Sequence, residues 1–136
     1  MNTKTAIKNL LKLRKKGYTF FYNGHIKYLK EDVLVAIDYL KNTKSKKIKL
    51  LISDALVEVG QLFEIILSLP TIALRFYKKS LIYNPNNHKA EAYLADCYQD
   101  VDKFELAIKH YKKSPERRSR ALIRLMSTRG LIGLVM

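Results

Sequence analysis

Apolar residues return at helical spacing along most of the chain, and polar punctuation cuts that pattern into segments. Near the start, Ala6, Leu10 and Leu13 form one stripe with Ile7 and Leu11 beside it, and Lys4, Lys8, Lys12 and Lys15 fill the positions between. Residues three and four apart share a helix face, so this segment predicts an amphipathic helix of about three turns that ends near Gly17. Val33, Ala36, Ile37 and Leu40 predict a second helix over 31–42, and the Lys-rich stretch 42–49 reads as a connection. Helical spacing resumes with Ile52, Ala55, Leu56, Val59, Leu62, Phe63, Ile66 and Leu67.

Prolines sharpen the boundaries. Ser68-Leu69-Pro70 ends one helix and opens the next, because proline lacks the N–H that a helix interior needs but fits a first turn. Asn84-Pro85-Asn86-Asn87 closes that next helix, since the residue before proline is pushed out of the α region. Two further helices are expected over 88–98 and 103–113, with a polar turn at 99–102. Ser114-Pro115-Glu116 supplies an N-cap, a proline at the first helical position and an acid in the first turn, so a last helix is expected over 115–129 before the apolar tail 130–136. Over 18–29 a β-hairpin competes with a helix, because Asn23-Gly24 between two aromatic-rich runs suits a two-residue turn.

The chain also repeats itself. Residues 72–80 read IALRFYKKS and residues 106–114 read LAIKHYKKS, so that Ala73 and Ala107, Tyr77 and Tyr111, and Ser80 and Ser114 each stand 34 positions apart. A 34-residue period of helix-turn-helix units belongs to one repeat architecture. The chain resembles the tetratricopeptide-repeat (TPR) family, whose pattern of small and aromatic positions matches Leu94-Ala95, Tyr98, Ala107, Tyr111 and Ser114 in one unit and Val59-Gly60, Phe63, Ala73, Tyr77, Ser80 and Pro85 in the unit before. Small residues let paired helices approach closely, and the aromatics fill the space beside them. Gly60 to Ala73 spans one residue more than Ala95 to Ala107, which places an insertion near 68–70. Gly24 and Ala36 keep the shorter spacing.

The resemblance implies an all-α fold of antiparallel helix pairs, stacked as a short right-handed superhelix. One domain would comprise a basic N-terminal helix (1–16), a degenerate repeat (17–50), two repeats (53–87 and 88–114) and a terminal helix with an apolar tail (115–136). It also implies a concave groove lined by first helices, here Tyr18, Phe21, His25, Tyr28, Val57, Gln61, Glu64, Lys89, Ala92, Asp96 and Gln99. Some TPR co-chaperones hold a peptide carboxylate with basic and amide side chains. The matching positions are Phe21, His25, Glu58, Lys89 and Tyr93, and only Lys89 has the required chemistry, so that clamp is not expected.

Charge changes the picture more than composition does. The net charge of +14 is uneven: residues 1–50 hold 13 Lys+Arg against 3 Asp+Glu, 51–111 hold 6 against 8, and 112–136 hold 7 against 1. Basic ends suit an acidic protein partner, nucleic acid or an anionic membrane surface, or make a solvated exterior. The candidate basic patch is Lys12, Arg14, Lys15, Lys16, Arg117, Arg118, Arg120 and Arg124. The single cysteine, Cys97, allows no intrachain disulfide and suits a reducing, intracellular setting. No apolar run reaches the ~20 residues of a spanning helix.

Candidate chemistry is sparse. His25, His88 and His110 have no metal-ligand spacing and read as surface or packing residues. Asp96, Asp100, Asp102 and Glu105 crowd one turn but lack the alternating spacing and central glycine of a calcium loop. No cofactor, metal or catalytic set is expected. The sequence points to a protein–protein interaction module, adaptor-, scaffold- or chaperone-like, that binds a partner peptide or helix in its groove or associates with itself through apolar ends. A basic nucleic-acid-binding helical domain is the alternative, and membrane-surface attachment through the first helix is a third reading.

Overall fold

The computed structural model describes residues 1–23 and 26–114, and every regular element among them is helical. Six helices follow one another. α1 is Thr3–Lys16. α2 begins as Ile26–Tyr28, passes through a π turn at Leu29–Val33 and ends as Leu34–Leu40. α3 is Lys46–Gln61, extended by a π turn at Leu62–Ile66. α4 is Pro70–Tyr83, α5 is His88–Asp100 and α6 is Phe104–Tyr111. The expected helix over 115–129, the apolar tail and the Asn23-Gly24 turn lie outside the described residues in whole or in part. Tyr18–Asn23 forms a 3₁₀ turn, so the first arm of the hairpin alternative is not a strand.

Local chemistry accounts for the ends. The side chains of Asn2, Ser45 and Asn87 cap α1, α3 and α5 by accepting from the N–H groups of Thr5, Ile48 and Ala90. Pro70 starts α4 from its first turn. α1 stops at Gly17, whose φ of 75° is costly for any residue with a Cβ and whose N–H closes onto the Leu13 carbonyl at 2.7 Å.

The helices pack as antiparallel neighbours. Tyr28 and Asp32 of α2 meet Asn9 in the middle of α1, while residues 39–43 lie beside Thr3 at its start. In α3 and α4, Ser53 meets Ser80 and Gln61 meets Tyr77; in α5 and α6, His88 meets Ser114 and Glu91 meets His110. The helix paired with α2 is therefore α1, outside the 17–50 unit drawn from sequence. The reason is burial: Ala6, Leu10 and Leu13 of α1 are closed off against the stripe Leu29, Val33, Ala36, Ile37 and Leu40. Each large side chain buried this way contributes roughly 1.5–3 kcal/mol.

The two similar segments have matching surroundings, with one offset. The hydroxyl of Tyr77 lies between Gln61 and Glu64, and that of Tyr111 between Asp96 and Gln99. The tyrosines stand 34 positions apart and their partners 35. Ser80 and Ser114 repeat the arrangement, donating to the carbonyls of Ser53 and His88. The extra residue sits upstream of the 68–70 position expected for it, in the π turn of α3. There Leu67 N–H bonds to the Leu62 carbonyl, one residue further back than in an α-helix. A wider turn absorbs one residue while the helix continues. Downstream the units regain step: Ser68 and Asp102, 34 apart, both adopt positive φ and break the chain before the next helix.

At Gly60, α3 lies tight against the Tyr77 ring of α4. A Cβ there would lie 2.4 Å from the Tyr77 ring, which is fully buried and held at its hydroxyl. Gly60→Ala is expected to destabilise the chain by about 1–3 kcal/mol through overpacking, more than the ~1 kcal/mol that alanine's helix propensity returns. Urea unfolding followed by circular dichroism measures this, and an unchanged or raised midpoint contradicts the packing described.

Candidate functional site

Cross-contacts set α1, α3 and α5 side by side and parallel. Arg14 of α1 lies 3.7 Å from Asp54 of α3, and one turn later Tyr18 N–H donates to the Glu58 carboxylate at 2.7 Å. Glu58 in turn feels Lys89 at the start of α5, and Glu64 at the end of α3 feels Asp96 and Asp100 at the end of α5. A line of polar groups thus crosses three helices: Arg14, Asp54, Glu58, Lys89, then Glu64, Asp96 and Asp100.

Electrostatics differ along that line. Burial raises the Glu58 carboxyl above its ordinary value, opposed by the Tyr18 N–H and by Lys89. Burial likewise raises Glu64, helped by Asp96 and Asp100 and opposed by the hydrogen bond from Tyr77. Asp100 is raised by burial and then by Asp96. Among these groups the carboxylates outnumber the cations, although the chain as a whole is strongly basic. Asp54 and Arg14 are each about half exposed, so their pair is worth no more than ~1 kcal/mol.

The groove residues expected from sequence do not share one surface. Tyr18, Asp96 and Gln99 are partly exposed and Lys89 is exposed. Phe21, Val57, Gln61 and Ala92 are not groove surface. Phe21 packs in the core with Leu29 and Val33, Val57 and Ala92 are buried, and Gln61 is 4% exposed with its amide donating to the Tyr77 hydroxyl at 2.5 Å. Ala92 shares the face of Lys89 and Asp96, three and four residues away, but its short side chain is covered there. Tyr28 is half-buried: its hydroxyl donates to the Asn9 carbonyl, its ring packs on Phe20, and burial, then Asp32, pushes its pKa up to about 12. Glu64 is half-buried with its carboxylate on Tyr77. His25 lies outside the described residues.

The basic patch is also redistributed. The Lys12 ammonium sits over the Phe20 and Tyr28 rings, 5.2 and 5.0 Å from their centroids, a cation–π contact that covers these aromatics. Lys15 and Lys16, both exposed, complement the negative C-terminal end of α1. Arg117, Arg118, Arg120 and Arg124 lie outside the described residues. Elsewhere His110 bonds Glu91 at 2.7 Å and stacks on Tyr98, joining α5 to α6. Cys97 is buried, and burial, then Glu64, pushes its thiol well above the usual range. Among the described residues no group of three His, Cys, Asp or Glu is placed to hold a metal ion, and no helix is long and apolar enough to cross a membrane.

Sequence reading missed two features. Glu58, considered only as a clamp position, joins α1 to α3 through the Tyr18 N–H. The buried set Ser53, Ser80 and Asn87 ties α3, α4 and the start of α5 together by mutual hydrogen bonds. The 34-residue spacing flags Ser80, but nothing in the pattern marks Ser53 or Asn87 as its partners.

Glu64 yields a pH prediction. A carboxyl raised on folding favours the protonated state in the native form, so stability is greatest below the unfolded pKa and falls as pH rises through the folded one. Glu64→Gln keeps an acceptor for Tyr77 but cannot ionise. The variant's melting temperature should match wild type near pH 4 and exceed it increasingly toward pH 7. A difference that stays constant over this range contradicts the buried-carboxyl assignment.

Compared with known protein families, with curated proteins and with solved structures, the chain matches none.

Proposed function

We propose that this chain is a TPR-like stack of helix pairs that acts as a protein–protein interaction module and receives a partner segment on the face shared by α1, α3 and α5. The observation that carries this reading is the repeated surrounding of Tyr77 and Tyr111, with partners Gln61/Glu64 and Asp96/Gln99. A unit that recurs with its buried hydrogen bonds intact presents the same helix face at each step, and such stacks use the first-helix face for partners. Lys89, Asp96 and Gln99, spaced along α5 and open to solvent in whole or part, supply polar recognition groups on it. Self-association through apolar ends belongs to the same proposal.

Selection of peptides from a random library on the immobilised chain tests it, followed by titration against Lys89→Glu and Asp54→Lys. Both substituted side chains reach solvent, so the fold should survive. The proposal expects selected peptides to lose about tenfold or more in affinity, ~1.4 kcal/mol, in at least one variant. Failure to select any peptide, or selected peptides indifferent to both changes, overturns it.

One observation favours a second reading. α1 exposes Lys4, Lys8, Lys12 and Lys15 in succession, a spacing that suits phosphate contacts. A nucleic-acid-binding role expects a labelled duplex to bind at low salt, with affinity falling steeply as salt rises. No binding at low salt removes it.

A further inference from the structure

An apolar cleft of roughly 330 Å³ opens between α1 and the first half of α3, where Ile7 and Leu11 face Ile48 and Leu51, with Arg14 and Lys47 at its rim. Leu11 is 41% exposed and Ile7 and Ile48 are only half-buried, so apolar surface remains open to solvent between two well-formed helices. The volume lies at the small end of ligand pockets and suits a few apolar side chains.

The surroundings of the cleft select what would fill it. No acid precedes Glu31 and none stands between Asp38 and Asp54, while Lys4, Lys8, Lys15, Lys44, Lys46, Lys47 and Lys49 are all exposed. Asp54 already faces Arg14, and the Glu58 carboxylate is held by the Tyr18 N–H. α3 also begins here, capped by Ser45, and its first turn contains no acid. Helix starts carry partial positive charge and are usually complemented by Asp or Glu. Lysines in that turn add to the positive potential, so carboxylates are missing where this chain has most use for them. A basic partner or a second copy of this basic face would be repelled.

Resting on the interaction-module reading, we propose that this cleft docks an acidic amphipathic helix. Apolar side chains at i and i+4 enter between Leu11 and Leu51, and flanking carboxylates pair with Arg14 and Lys47. Apolar anchors inside a charged rim divide the work in the usual way, burial giving affinity and charge giving orientation and on-rate. Arg14 can exchange Asp54 for a partner carboxylate because their existing pair is long and half-exposed.

Fluorescence anisotropy on the full chain tests this with a labelled peptide of about 18 residues, leucines at i and i+4 among glutamates, long enough to become helical as it docks. Two control peptides replace its leucines by alanine or its glutamates by lysine. The proposal expects the acidic leucine peptide alone to bind, more weakly as salt rises from about 50 to 200 mM, and to lose about tenfold or more in both Leu11→Glu and Lys47→Glu. Both positions are exposed, and circular dichroism checks that helicity is kept; if Leu11→Glu loses it, Leu11→Gln replaces it. Acidic binding that ignores Leu11→Glu, or equal binding by the alanine control, reduces the effect to bulk charge and overturns the cleft. A duplex that binds tighter than the peptide and loses affinity in Lys47→Glu but not Leu11→Glu assigns the rim to nucleic acid and also overturns it. Binding by the lysine control alone overturns this site but leaves the interaction module standing, whereas no binding here together with no selected peptide in the library experiment removes both.

Discussion

The close approach of α3 and α4 at Gly60 is the constraint on which the rest of the structure depends. Only a residue without a side chain leaves room for the Tyr77 ring between the helices. That ring carries a hydroxyl into the interior, and a buried hydroxyl must be paired. Gln61, the residue after Gly60, and Glu64, one turn beyond Gly60, meet it. Packing and polar satisfaction are therefore solved together, and the solution holds Glu64 in a setting that disfavours its charge.

The same logic recurs around Tyr111 with Asp96 and Gln99, and it explains why a one-residue insertion does not disturb the pairing of α3 with α4. A slip of one residue would rotate a helix face by about 100° and carry Gln61 and Glu64 away from Tyr77. The π turn at Leu62–Ile66, which contains Glu64, takes up the surplus between Gln61 and Pro70, so both the buried bracket and the start of α4 keep their places. The polar line from Arg14 to Asp100 then follows from the cross-contacts of α1 with α3 and of α3 with α5.

Much of this was legible in the sequence. Pro70 and Asn84-Pro85 mark boundaries by local sterics, and the Ala6–Leu10–Leu13 stripe defines α1 without help from elsewhere. The 34-residue echo of Ala73, Tyr77 and Ser80 was readable because the second helices carry no insertion. What was not legible depends on partners distant in the chain. An amphipathic stripe says that α1 needs a neighbour but not that the neighbour is α2. The extra residue reads in sequence only as a changed spacing between Gly60 and Ala73, and hydrogen bonding alone locates it. The repeat pattern puts Phe21, Val57, Gln61 and Ala92 on the groove face, but it carries no information on whether a neighbouring helix covers a given position, and these four are buried.

Nuclear Overhauser spectroscopy on the folded chain tests the central packing claim most directly. The account predicts strong cross-peaks between the Gly60 α-protons and the ring protons of Tyr77, with the Tyr77 hydroxyl protected from exchange. A spectrum in which the Tyr77 ring shows no proximity to Gly60 and its hydroxyl exchanges freely would contradict the seam between α3 and α4.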